Sequence, residues 1–350
     1  MSPAGRPEET AGLLGHGPVL DAFRQMLGKG RVHHAWALLG PRGIGKATLA
    51  WHMVREWFAE NEAERLHCHR PDHPLFSRIR ARGHPDLHLL EVPEAGAVRE
   101  IPVAAVREVL ARLKSTAYSG RRALLVDAAC ELNRHAANAL LKMVEEPPRD
   151  TLILLVCHRP RAVPATLLSR CLRVPLRPLQ PEEMEAALAR WLPERDADSR
   201  RRLAVLAAGR LGEALRIDEA ALLDHYRSLL GQIAREGNRA EIGAMAAELA
   251  AVARQFGLEL AFRAPLELVR RVVRLAAGGV LAPELAEGEE DKLRRLLARR
   301  PAAAYAELWA QLVTFARRAQ QLHLDPQQAL LAALGAILGS SALPGFASER

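Results

Sequence analysis

The sequence predicts an α/β fold built on a parallel sheet, continued by an all-helical remainder. Residues 36–39, 123–126 and 152–157 are apolar at every position, the signature of strands buried on both faces. Stretches with apolar residues at helical spacing separate them, as the crossovers of a parallel sheet require. After Pro175 and Pro178 no such run recurs; helical stripes interrupted by Gly and Pro fill the rest.

Taken in order, 19–27 has helical periodicity and Gly28-Lys29-Gly30 stops it. A strand at 36–39 and a helix at 46–60 follow, and from 61 to 85 the pattern dissolves into His, Arg and Pro. Residues 88–92 read as a short strand. Residues 102–113 read as a helix with Val103, Val106, Val109, Leu110 and Leu113 on one face. Strands at 123–127 and 152–157 flank a helix at 133–145 that ends at Pro147-Pro148. Helices at 182–191, 199–208 and 213–230 follow, then further stripes that include 308–322 and 326–338. At 350 residues the chain is long for one domain. Breaks near Leu176 and between Asp218 and Tyr226 predict domains at 1–176, 177–225 and 226–350.

Hydrophobic residues make up 49% of the chain and aromatics only 4%, which predicts an aliphatic core in a helix-rich protein. The net charge of +8 comes mostly from Arg and by itself does not choose a partner. Four cysteines lie far apart with no C-x-x-C pair, which favours reduced thiols in a cytoplasmic protein. No apolar run approaches the ~18 residues of a membrane span, so neither export nor insertion is expected.

The chemical centre is the segment that leaves the first strand. Gly40-Pro41-Arg42-Gly43-Ile44-Gly45-Lys46 has the spacing G-x-x-x-x-G-K, a loop whose amides cradle phosphates at a helix N-terminus. Lys46 would sit on the β- and γ-phosphates. The next position should carry the hydroxyl that binds Mg²⁺, and it is Ala47. Thr48 lies one helical step, about 100°, further round and does not replace it. Asp127, at the end of an apolar strand, is placed to hold Mg²⁺, or merely to cap the following turn. Where many nucleotidases have a Glu that polarises water, the next residue is Ala128.

The run from Asn133 through Leu140-Leu141-Lys142-Met143-Val144-Glu145-Glu146-Pro147-Pro148, then His158-Arg159-Pro160, then Ser169-Arg170-Cys171, resembles the AAA+ subunits of the bacterial clamp loader, the delta-prime family above all. His33-His34-Ala35-Trp36 and His84-Pro85-Asp86 resemble that family too. The resemblance is dense from 14 to 178 and thin beyond. It implies an AAA+ α/β domain, a small helical lid and a C-terminal helical collar that assembles a hetero-oligomer with gamma/tau and delta subunits. The sliding clamp and primed DNA would be met through that complex. It also implies that Arg170 is an arginine finger offered to the ATP of a neighbouring subunit, where a planar guanidinium offsets phosphate charge. The alternative is a surface Arg in a salt bridge. The carboxylates of Glu145 and Glu146 read as a solvated helix end with a proline stop.

The chain also departs from that family. Of the four zinc-binding cysteines common in relatives, only Cys68 remains, among His67, His69, His73 and His84, so zinc is not expected. Glu213 falls where active relatives place a phosphate-sensing Arg, and Arg210 and Arg216 are out of register. Ala47, Ala128 and Glu213 together predict weak ATP or ADP binding or none, Mg²⁺ only with nucleotide, and no hydrolysis. Two other classes stay open: an active AAA+ ATPase of replication or repair, and a nucleic-acid-binding module gripping phosphates through Arg.

Overall fold

The computed structural model describes residues 6–92, 100–235, 239–339 and 343–344. The chain divides into two compact units, Met1–Trp191 with Gly209–Glu213, and Leu192–Ala208 with Ala214–Arg350.

The first unit is an α/β layer structure. Strands β1 (Ala35–Leu39), β2 (Leu87–Glu91), β3 (Arg122–Asp127), β4 (Thr151–Cys157) and β5 (Leu172–Pro175) form one sheet in the order β2-β3-β4-β1-β5. Every strand pair is parallel. The helices are α1 (Gly17–Gly28), α2 (Lys46–Phe58), α3 (Glu62–His67), α4 (Pro74–Arg80), α5 (Val103–Leu113), α6 (Arg134–Glu145), α7 (Ala165–Leu168) and α8 (Pro181–Trp191).

Alternate strand residues feed two separate cores, which explains the unbroken apolar runs. Trp36, Leu38, Leu125, Leu154 and Val156 pack with α1 and α2. Ala37, Leu124, Val126, Ile153 and Leu155 pack with α5 and α6. The large indoles keep their N–H groups satisfied: Trp36 donates to the His33 carbonyl and Trp57 to that of Arg122, both at 2.8 Å.

Two elements of this unit escape the sequence pattern. Residues 61–85 contain the short helices α3 and α4, started by side-chain caps from Asn61 to the Glu64 amide and from His73 to the Leu75 amide. The fifth strand, β5, is short and carries Arg173 and Pro175. It can hold both because it lies at the sheet edge. All four cysteines are buried and unpaired; burial pushes the thiols of Cys68 and Cys157 up to about 12 and that of Cys171 to about 11.

The second unit is helical, with α9 (Ala197–Ala207), most of α10 (Leu211–Glu219), α11 (Leu222–Ala234), α12 (Arg239–Phe256), α13 (Leu258–Ala261), α14 (Arg263–Ala276), α15 (Glu289–Leu297), α16 (Ala302–Gln321) and α17 (Pro326–Leu338). The stretch 213–230, expected as one helix, is two; the chain breaks at Ala221, whose φ of 47° is left-handed. A polar knot lies in this core. Arg271, 1% exposed, donates through Nε and Nη2 to the two oxygens of Glu289, each at 2.7 Å. Glu289 also accepts from the Leu285 amide at 2.7 Å and from the Tyr226 hydroxyl. Among the described residues no helix is long and apolar enough to cross a membrane.

Candidate functional site

Gly40 continues β1 by donating its amide to the Cys157 carbonyl at 3.2 Å. A Cβ at Gly40 would lie 2.7 Å from the Leu176 carbonyl oxygen, so no larger residue fits there. Ile44 is buried and anchors the loop from beneath, and Gly45 caps α2. Lys46, the first residue of α2, is 2% exposed and donates through Nζ to the Pro41 carbonyl at 2.5 Å. Its side chain thus closes the loop on itself. Burial lowers the ammonium to about 8, against the raising influence of Asp127.

Asp127 ends β3, in register with Glu91 at the end of β2 and Val156 on β4. Burial first, and then Glu91, push its carboxyl up to about 6, opposed by Lys46 and Arg42. His158 follows β4 and brings Nε2 to 4.0 Å from Asp127 Oδ1. Burial and the cations Lys46 and Arg42 hold this imidazole down at about 3, so at neutral pH it is uncharged. Ala128, beside Asp127, is a buried methyl with no proton to give or take. Parallel topology therefore gathers the lysine, the aspartate and a neutral histidine at the carboxyl ends of β1, β3 and β4.

Two further groups wall the loop. His16, 3% exposed, shares a 2.6 Å hydrogen bond between Nε2 and the Ile44 carbonyl. From the other side, Gly43 at φ 84° receives the start of α10: the Gly212 amide donates to the Gly43 carbonyl at 2.9 Å. A Cβ on Gly43 would meet the Glu213 amide nitrogen at 2.9 Å, so two backbones touch here without side chains between them. Glu213 is buried at this contact, while Arg216, out of register for a sensing Arg, donates to the Phe256 carbonyl. His16 has no place in the sequence reading, and His158 enters it only within the resemblance, with no role at the site; a His between two glycines and a His just past a buried strand are the local signals of each.

Arg170 lies after α7, 41% exposed at its side chain. Its Nε is 2.6 Å from Glu145 Oε1, so the exposed carboxylate at the end of α6 pairs with the Ser-Arg-Cys arginine, the surface salt bridge that is the alternative reading of Arg170. The His-rich segment is tied into the fold otherwise. His69 bonds Glu56 at 3.0 Å, His73 caps α4, and His84 stacks on Phe58 at 3.8 Å between ring centroids. Among the described residues no group of three or more His, Cys, Asp or Glu is arranged to hold a metal ion.

A five-stranded parallel sheet with a glycine-rich phosphate loop after β1 and an aspartate closing β3 defines an AAA+ α/β domain with a helical continuation. The sequence model of the family described as "DNA polymerase III, delta subunit" matches residues 15–180. DNA polymerase III subunit delta' of Pseudomonas aeruginosa is 35% identical over 220 residues, 60% of this chain and 65% of that one. Subunit delta' of Bacillus subtilis is 31% identical over 171 residues, 49% of this chain and 50% of that one. Subunit tau of Escherichia coli is 30% identical over 245 residues, 69% of this chain and 36% of that one. The chain thus spans less than two thirds of the length of each. Over those stretches the chain is delta-prime-like, similar to the delta', gamma and tau subunits of DNA polymerase III.

Proposed function

We propose that this chain is a non-hydrolysing subunit of a hetero-oligomeric clamp loader, working in the cytoplasm with gamma/tau and delta subunits. It would reach the sliding clamp and primed DNA through that complex. Residues 177–225 would serve as a lid and 226–350 as the oligomerising collar. The observation that carries this reading is a site that keeps its electrostatics and lacks its chemistry. Lys46 opens α2 and Asp127 closes β3, while the two positions that should bear a metal-binding hydroxyl and a base are the methyls of Ala47 and Ala128. The amides of 40–46 with Lys46 fit a phosphate group, and Asp127 fits one ligand of an accompanying Mg²⁺. Bound nucleotide would supply countercharge for Lys46; Ala47 and Ala128 offer neither a metal-binding hydroxyl nor a base to orient an attacking water. Arg170, exposed and outside the loop, would act on the ATP of a neighbour.

The test compares the isolated chain with the reconstituted loader. The chain alone should show no ATP turnover, and Lys46→Ala should leave loader turnover within about twofold of wild type, since no hydrolysis passes through this loop. Leaving the chain out should abolish DNA-stimulated turnover and clamp loading. Turnover by the isolated chain that Lys46→Ala abolishes would establish an active ATPase instead. A loader equally active without the chain would remove the assignment.

A further inference from the structure

The two most specific sequence blocks of the α/β unit meet at one ion pair, and that pair is built. Glu145 is the last residue of α6, whose end is fixed by Pro147 and Pro148 directly behind it. Its carboxylate forms an ion pair with Arg170, Oε1 to Nε at 2.6 Å. On the opposite side, Nη1 of the same guanidinium donates to the Thr166 carbonyl at 2.8 Å and reaches Ser169 Oγ at 3.4 Å. Ser169 Oγ itself donates to the Thr166 carbonyl at 3.0 Å, so serine and arginine converge on one acceptor. Cys171 is buried and holds its Sγ 3.3 Å from the Leu167 carbonyl, anchoring the turn from inside. The Ser-Arg-Cys triplet thus reads physically as brace, projecting cation and anchor.

We infer that Glu145 is a positioning residue for Arg170: the ion pair at Nε restricts the orientation in which the guanidinium is offered to a phosphoryl group of a neighbouring subunit. This rests on the finger reading of Arg170. Both side chains are a little over 40% exposed, 41% for Arg170 and 44% for Glu145, so the pair adds little to stability. Its worth is orientational. A long arginine loses rotamer freedom before the neighbour docks, and less remains to be lost at the reaction. Arg170 also lies at the C-terminal end of α6, where the helix dipole favours a cation. An acid at that helix end is disfavoured by the same dipole, and the cation paired with it offsets that cost.

The reconstituted loader distinguishes this from its foundation. Arg170→Ala sets the scale; if it leaves DNA-stimulated ATP turnover at the wild-type rate, the finger reading fails and this inference with it. If Arg170→Ala lowers turnover, Glu145→Ala should lower it too, by about tenfold, less than the ~10²-fold that misplacing a catalytic group by about 1 Å can cost. Glu145→Gln keeps the length of the side chain and a polar oxygen beside Nε, and should restore turnover to within about twofold of wild type. Adding Glu145→Ala to Arg170→Ala should bring no further loss, because the glutamate acts only through the arginine. A Glu145→Ala loader as fast as wild type overturns the inference. So does a further loss in the double variant, or a Glu145→Gln variant as slow as Glu145→Ala.

Discussion

In the helical unit, Arg271 and Glu289 are buried with each other, two hydrogen bonds of 2.7 Å between them and Tyr226 and the Leu285 amide filling the remaining lone pairs. In the α/β unit, Lys46 is buried at the start of α2 and Asp127 is part-buried at the end of β3, yet among the described residues no hydrogen bond or ion pair joins them. Lys46 satisfies itself on the Pro41 carbonyl. The contrast separates two uses of buried charge. A pair whose donors and acceptors are matched is architecture, and its removal costs stability. Groups whose proton affinities are displaced by burial without a matching partner are held at a cost, and such groups mark sites kept for binding.

The largest effect should come from breaking the matched pair. Glu289→Ala leaves the guanidinium of Arg271 buried without its carboxylate, and should destabilise the chain by about 3–5 kcal/mol in chemical denaturation. A loss below about 1 kcal/mol would show that the knot carries no more than a surface pair does, and the contrast with the loop would collapse.

The unmatched acid should respond in the opposite direction. The folded state raises the Asp127 carboxyl from 3.8 to about 6, so folding favours the protonated form. The resulting penalty is absent below about pH 4, grows as pH rises through that interval and is full above it. Asp127→Asn should therefore stabilise the chain at pH 7 by about 1–3 kcal/mol and do little near pH 4. Thermal melts of both proteins between pH 4 and pH 8 read this directly. A gap that closes rather than opens with rising pH would mean that Asp127 is a satisfied structural carboxylate.

Smallest of all should be the exposed pair. Glu145→Ala and Arg170→Ala should each change stability by less than about 1 kcal/mol, as for other half-exposed ion pairs. A larger loss from either would move this pair from the surface class to that of the knot.

The parts of the fold that can be read from sequence are those in which one local pattern decides. β3 and β4 are apolar at each interior position because both faces are covered, and nothing but a buried strand of that length does this beside turn signals. α6 shows its start in Asn133 and its stop in Pro147. β5 hides because an edge strand tolerates Arg173 and Pro175, and α3 and α4 hide because caps from Asn61 and His73, not an apolar stripe, start them. The break at Ala221 has no Gly or Pro to announce it.

The site divides along the same line. The residue types of the loop and of the β3 terminus are contiguous in sequence, so their chemistry shows in the spacing. The contacts of Gly43 with Gly212, His16 with Ile44, His158 with Asp127 and Glu145 with Arg170 join residues far apart in the chain. They exist only once the sheet order is set.

The distribution of sulfur gives the molecule a built-in reporter. Cys68, Cys130, Cys157 and Cys171 all fall in the α/β unit, each buried, and the second unit has no cysteine. A thiol-directed alkylating reagent in neutral solution therefore meets almost no reactive sulfur until that unit opens, since attack requires both exposure and the thiolate. Labelling kinetics would time the opening of the α/β unit alone while the helical unit stays silent, and the order in which the four sulfurs are labelled would trace which face of the sheet gives way first.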